Sequence, residues 1–316
     1  MQYEFSLVKR LRHWWFIEHH QAYQSSPLSH YDDAVERVQQ WWINEQQEDL
    51  HDECGTRLLT HGRKVSNVIV IFHGFTSCPH QFDLLADQFY QQGDNVLITR
   101  LPFHGLKDRK TLTTAQMTLE TLTTLGDQAI DIAGGLGENI KVCGISTGGL
   151  IAAWVAQNRA DVDKVLILSG AFGIYKIPKK LHGFYARMIP LLKNKFQYWN
   201  PRLKEQTRLP KHIYLGYSTH SINTLLRLGI IVKKAAQYSK PSARSIIVAI
   251  NPIDNVVRNE DSELIIRHWQ EHGGNVQKYE FPVDSNLPHD LIEPEHKYQQ
   301  IAQVYPIILE LLNQGP

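Results

Sequence analysis

Apolar positions along this chain gather into short unbroken runs separated by longer stretches of helical spacing. The runs fall at residues 67–72, 95–100, 140–143, 163–169 and 245–250, and a last strand is expected over 276–281. The first has Val-Ile-Val-Ile at its centre. A strand with one wet face would alternate apolar and polar residues, so unbroken runs predict strands covered on both sides. A further short strand is expected at 57–60. Between the runs, apolar spacing predicts helices over 80–92, 113–134, 149–158, 262–272 and 294–313. Ahead of them, residues 31–44 carry Ala34, Val35, Val38, Trp41 and Trp42 at helical spacing, with Ser29 as the expected cap. Strands alternating with helices imply an α/β fold, a mostly parallel sheet with helices on both faces.

The alternation lapses from residue 171 to 240. That stretch is rich in aromatics (Phe172, Tyr175, Phe184, Tyr185, Phe196, Tyr198, Trp199) and holds fourteen lysines and arginines against one acid, Glu205. It carries +13 while the whole chain carries +1, so the remainder is an acidic body. The expected organisation is a helical extension over 1–50, a core over 51–170 and 241–316, and a basic, aromatic-rich insert over 171–240. A surface of this charge suits an anionic substrate or contact with an anionic membrane surface, or it packs on the acidic body. No nucleic-acid motif accompanies it, and no nucleic-acid partner is expected.

The 316 residues are 42% hydrophobic and 21% charged, which excludes wholesale disorder. Cys54, Cys78 and Cys143 have neither metal-like nor paired spacing and read as reduced thiols of a cytoplasmic protein. Trp14-Trp15-Phe16-Ile17, after Lys9, Arg10 and Arg12, is too short for the core of a signal peptide. This basic start is expected to pack on the domain, with contact at a membrane surface as the alternative. No run approaches the 18 apolar residues of a spanning helix.

Chemistry enters at residues 144–148, Gly-Ile-Ser-Thr-Gly, between a strand and a helix. A serine there sits on a tight turn that pushes its hydroxyl out of the sheet, and the small flanking residues let the backbone pass. The following helix start offers free N–H groups and partial positive charge. Serine needs a base, and the base needs an orienting acceptor. His73, Ser146, Asp254 and His289 each follow a strand, at the rim where reactive groups gather in such sheets. His289 is the candidate base and Asp254 the candidate orienter. His73, His104, His212 and His220 are the rival bases, and Asp261, Asp284 and Asp290 the rival acids.

The chain resembles the α/β-hydrolases, closest to their bacterial carboxylesterase and monoacylglycerol lipase (lysophospholipase-like) branch. Three blocks carry the resemblance: Phe72-His73-Gly74-Phe75, Gly144-Ile145-Ser146-Thr147-Gly148, and Asp254 paired with His289 in the order Ser, Asp, His. It extends over about residues 57–313, with the 171–240 insert where that family places its cap. The resemblance implies a serine esterase acting through an acyl-enzyme, with the backbone N–H groups of Phe75 and Thr147 as the oxyanion hole and neither cofactor nor metal. Such donors contribute roughly 3–4 kcal/mol each. Phe75 stands where a glycine-rich loop is usual and should narrow the acyl side. Pro102-Phe103-His104-Gly105 replaces a Gly-His-Gly loop and leaves His104 without an assigned role. The expected partner is a small ester with an apolar acyl group, such as a monoacylglycerol or lysophospholipid. An acyltransferase, a thioesterase, a cofactor-free haloperoxidase and a non-catalytic ligand receptor are the alternatives.

Overall fold

The computed structural model describes residues 23–202, 204 and 209–314. A seven-stranded sheet runs through it: β1 (Arg57–Leu59), β2 (Val65–Phe72), β3 (Asn95–Thr99), β4 (Gly137–Ile145), β5 (Lys164–Leu168), then, beyond the separate antiparallel pair β6 (Phe196–Tyr198) and β7 (Gly216–Ser218), β8 (Ser245–Ile250) and β9 (Val276–Glu280). Its spatial order is β1-β3-β2-β4-β5-β8-β9, and every pairing is parallel except β1 with β3. The expected parallel sheet is therefore present.

Each strand feeds both layers, because successive side chains point to opposite faces. One face presents Val68, Val70 and Phe72 of β2 with Val142, Val165, Ile167 and Val248. It is covered by α1 (Tyr31–Glu45), α3 (Leu119–Leu136), α4 (Thr147–Asn158), α6 (Thr219–Tyr238) and α7 (Asn259–Glu271). The other face presents Ile69, Ile71, Cys143, Ile145, Leu166 and Ile247 to α2 (Asp83–Gln91) and α8 (Ile301–Asn313). The unbroken apolar runs are this double coverage read in one dimension.

Several boundaries differ from expectation for identifiable reasons. The helix expected over 113–134 is a 3₁₀ turn followed by α3, which begins at a capping box between Thr118 and Thr121. It continues through Gly134 and Gly135. Those glycines do not terminate it. A Cβ at 134 would lie 2.6 Å from the Leu28 carbonyl oxygen and one at 135 2.5 Å from that of His30, so they admit the start of α1. Helix α1 itself opens at His30 rather than Ser29 and has no side-chain cap. Its Trp42 donates to the Thr56 carbonyl, a packing role. The last helix starts at Ile301, not 294, because residues 291–300 form a series of turns, buried only over 291–293. The basic start at Lys9–Ile17 lies outside the described residues.

The alternation expected to lapse over 171–240 resumes before that stretch ends. Helix α6 holds Leu228 and Val232 fully buried among the core residues of the first face. The segment that overhangs the sheet consists of a short helix α5 (His182–Met188) and the antiparallel pair β6 (Phe196–Tyr198) and β7 (Gly216–Ser218).

The thiols also differ from expectation. Cys54 and Cys78 form a disulfide, and Cys143 alone is free and buried. Because β1 runs antiparallel to β3, the residues just before it lie beyond the carboxyl end of the parallel strands. Cys78, a few residues past the end of β2, is at the same rim. Topology brings the pair together, and a sequence separation of 24 gives no hint of it. Among the described residues no helix is long and apolar enough to cross a membrane.

Candidate active site

The rim begins with β4 and α4. Ser146, between them, has φ 54° and ψ −111°, a left-handed backbone forced on a non-glycine residue. The flanking glycines make this turn feasible. A Cβ at Gly144 would meet the Gly148 carbonyl oxygen at 2.2 Å, and one at Gly148 would meet that of Phe72 at 2.0 Å. The Ser146 N–H is anchored on the Leu168 carbonyl at 3.0 Å, so the elbow hangs from β5.

His289 reaches this serine from the loop after β9. Its Nε2 is 2.9 Å from Ser146 Oγ, and its Nδ1 is 2.7 Å from Asp254 Oδ2. Asp254 follows β8, and its other oxygen accepts from the Val256 and Val257 N–H groups at 2.8 and 3.1 Å. The carboxylate therefore has donors on both oxygens, and the acceptor at Nδ1 fixes the ring proton there, leaving the Nε2 lone pair towards the hydroxyl. Burial by itself would lower the His289 pKa; the charge and hydrogen bond of Asp254 outweigh it and raise it above 6.5. Burial would likewise raise Asp254, but the His289 charge and the hydrogen bonds prevail and its pKa is lowered. The three sequence candidates, far apart in the chain, are thus brought into one bonded line.

Phe75 follows β2, and Thr147 opens α4. Among the described residues neither backbone N–H is committed to another protein group. The Gly74 N–H, by contrast, is held by Gln81 Oε1 at 2.9 Å, and His73 Nε2 accepts from the Leu101 N–H at 3.0 Å. His73 is fully buried and, with burial as the main cause, its pKa falls well below 6.5. It pins two loops together as a neutral ring.

The family model Hydrolase_4, described as serine aminopeptidase S33, matches residues 63–280. The chain belongs to the Hydrolase_4 family. The match includes Ser146 and Asp254 and ends before His289. A thermostable monoacylglycerol lipase of Bacillus sp. (strain H-257) is 27% identical over 121 residues, covering 36% of this chain and 45% of that protein. The chain thus matches less than half the length of this curated relative. Among solved structures, that reported for LipS and LipT, two metagenome-derived lipolytic enzymes, is 15% identical with a TM-score of 0.61, covering 83% of this chain and 98% of its own. The Paleococcus ferrophilus monoacylglycerol lipase is 17% identical with a TM-score of 0.60, covering 81% and 97%. These likenesses establish the α/β-hydrolase fold for this Hydrolase_4 chain.

The rival residues of this Hydrolase_4 member are engaged elsewhere. His104 is buried, bonded through Nδ1 to the Pro102 carbonyl, and packs edge-on against Phe75 and His73. Burial is the largest cause of its pKa falling to about 4. The residue left unassigned by sequence is therefore a neutral platform under Phe75. His212 bonds Glu293, His220 reaches the Leu192 carbonyl, and Asp261 pairs with Lys233. Asp284 sits in a 3₁₀ turn, and Asp290 lies beside His289 without replacing Asp254.

Three supporting residues escaped sequence reasoning. Gln81 orients Gly74, and Asn251 at the end of β8 donates to the Leu287 carbonyl at 2.9 Å, holding the His289 loop. Thr76, at φ 64°, binds the overhanging segment: its carbonyl accepts from the Tyr214 N–H at 2.9 Å and its hydroxyl from Trp199 Nε1 at 3.0 Å. A non-glycine residue in a left-handed turn leaves no mark in a sequence, although polar residues right after His73-Gly74-Phe75 were visible. Trp199 and Tyr217, 4.6 Å apart between ring centres, stand against Phe75 at 6.2 and 6.1 Å. An aromatic wall thus rises directly from the loop bearing the free Phe75 N–H.

Proposed function

We propose that this chain is a serine hydrolase that cleaves carboxylic esters through Ser146, His289 and Asp254. The observation that carries the reading is the single imidazole bonded to the Ser146 hydroxyl on one side and the Asp254 carboxylate on the other. Ser146 Oγ attacks the ester carbonyl carbon while His289 Nε2 takes its proton. The oxyanion that forms accepts from the Phe75 and Thr147 N–H groups. As the carbonyl re-forms, the ester C–O bond breaks and His289 protonates the leaving alcohol. Water, deprotonated by the same nitrogen, then releases the acid from the acyl-enzyme.

The substrate class follows from the overhang. Phe75, Trp199 and Tyr217 suit an apolar acyl chain. Phe184, Leu191 and Leu192 are 56, 62 and 59% exposed on the overhanging segment, among Lys179, Lys180, Arg187, Lys193 and Lys195. Exposed apolar side chains ringed by cations fit a lipid surface bearing anionic head groups. A monoacylglycerol or lysophospholipid presented at such a surface is the substrate we favour. The serine aminopeptidase description of the family favours a second reading, amide cleavage.

A fluorophosphonate should label this chain once, at Ser146, and turnover should favour medium-chain p-nitrophenyl esters over amino-acid p-nitroanilides. Label at any other residue would end the serine assignment, and preference for the anilide would replace esterase by peptidase.

Only neutral His289 can accept the serine proton, and its folded pKa lies above 6.5. We expect kcat/KM to be flat in mild alkali and to fall tenfold per pH unit on the acid side, with a midpoint above 6.5. A profile still flat at pH 6 would show that His289 is not the base.

A further inference from the structure

A second group of side chains converges away from the serine, and the ester chemistry does not use it. His80 lies in the turn after the Phe75 loop, His212 just before Tyr214 in the stretch between β6 and β7 of the overhang, and Glu295 in the loop that follows His289. One ligand atom from each lies within 4.8 Å of the others. His80 Nε2 is 3.4 Å from Glu295 Oε1 and 3.8 Å from Glu53 Oε2. The His80 and His212 rings meet edge to face, with centres 4.8 Å apart.

Both imidazoles are backed by carboxylates. His80 Nδ1 is 2.7 Å from Asp83 Oδ2, and His212 Nε2 is 3.0 Å from Glu293 Oε2, with His212 and Glu293 both buried. A ring that donates to Glu293 through Nε2 keeps the Nδ1 lone pair, as one that donates to Asp83 through Nδ1 keeps that of Nε2. A carboxylate on the far nitrogen is how proteins orient metal-binding histidines and raise their basicity. Nothing in an ester hydrolase site requires two such rings to face one another with two further glutamates at hand.

We propose that His80, His212 and Glu295, with Glu53 as fourth ligand, bind one divalent transition-metal ion, with zinc the best match. Two imidazoles and two carboxylates neutralise a 2+ charge, and nitrogen donors exclude the oxygen-seeking calcium and magnesium. Ligands held tetrahedrally at zinc distances stand about 3.3 Å apart. The His80–Glu295 pair is already there. Glu53 and Glu295 are 51 and 50% exposed at the side chain, free to swing in and complete the set. A cavity of ≈ 560 Å³ lined by Arg57, His80, Asp83, Pro294 and Glu295 opens beside them and gives an ion its way in. With four protein ligands no position stays open for substrate, so the ion is structural. It joins the stretch between β6 and β7 of the overhang to the loops bearing Phe75 and His289. The sequence reading, which expected no metal, had no spacing by which to see three ligands from three separate loops.

The test uses the full chain, stripped with a chelator and dialysed. Zinc titration should give one site with a dissociation constant of about 1 μM or below and a raised Tm. Cobalt substitution should give the intense visible absorption of a tetrahedral site. Glu295→Gln, at a half-exposed position where folding is not at risk, should weaken zinc binding about tenfold or more, and His80→Ala should remove it. His268→Ala, a histidine on α7, should change nothing. Binding equal in the parent and Glu295→Gln, or an octahedral cobalt spectrum, would overturn the proposal.

Discussion

Replacing Ser146 with alanine should lower kcat for p-nitrophenyl butyrate by about 10⁶-fold while leaving KM within a few-fold of the parent. The loss is this large because the serine supplies the only bond through which the two-step route can pass. Without it, His289 and the Phe75 and Thr147 N–H groups can still polarise a bound ester, which leaves a residual rate of about 10³ over water. Folding should be untouched, since among the described residues Ser146 Oγ bonds only His289 and the strained backbone is held by Gly144, Gly148 and the Leu168 carbonyl. A Ser146→Ala protein with parental turnover and an unchanged melting curve would remove the serine from the chemistry and the esterase reading with it.

The second large effect is at Asp254. Asp254→Asn should cost about 10⁴-fold in kcat. The amide keeps an oxygen for the Val256 and Val257 N–H groups but turns an NH₂ towards His289 Nδ1. That favours the tautomer with the proton on Nε2, which cannot accept from Ser146. The same change removes the charge that holds the His289 pKa above its ordinary value, so burial then lowers it. The acid limb of whatever activity remains should move to lower pH. Rate loss with an unmoved acid limb would mean that Asp254 supports the loop without acting on the imidazole.

Much of this was legible in the chain, and the legible part has a common physics. Doubly buried strands write unbroken apolar runs, so 245–250 was readable to the residue. The elbow was legible because the close approach of Gly148 to the Phe72 carbonyl excludes any Cβ. His289 and Asp254 could be placed because a parallel sheet puts all its strand ends on one rim. What stayed hidden depends on contacts between loops distant in sequence. Gly134 and Gly135 look like a helix terminus and are a docking groove for α1. Helix α6 reads as part of a basic insert because its lysines are visible and the layer it covers is not. The Cys54–Cys78 pair, the tie between Thr76 and Trp199, and the histidine pair at 80 and 212 all join segments whose meeting is decided by topology.

The cystine has a practical bearing. It ties the stretch entering β1 to the turn that carries Phe75 and Thr76, and Gly105 of the neighbouring loop presses against it so closely that a methyl group there would lie 2.6 Å from the Cys54 Cβ. Crosslinks of this type persist where glutathione does not undo them. Whoever makes this protein chooses its redox form by choosing the expression host and the buffer. Material handled with strong thiols would have a slacker oxyanion loop than the molecule described above.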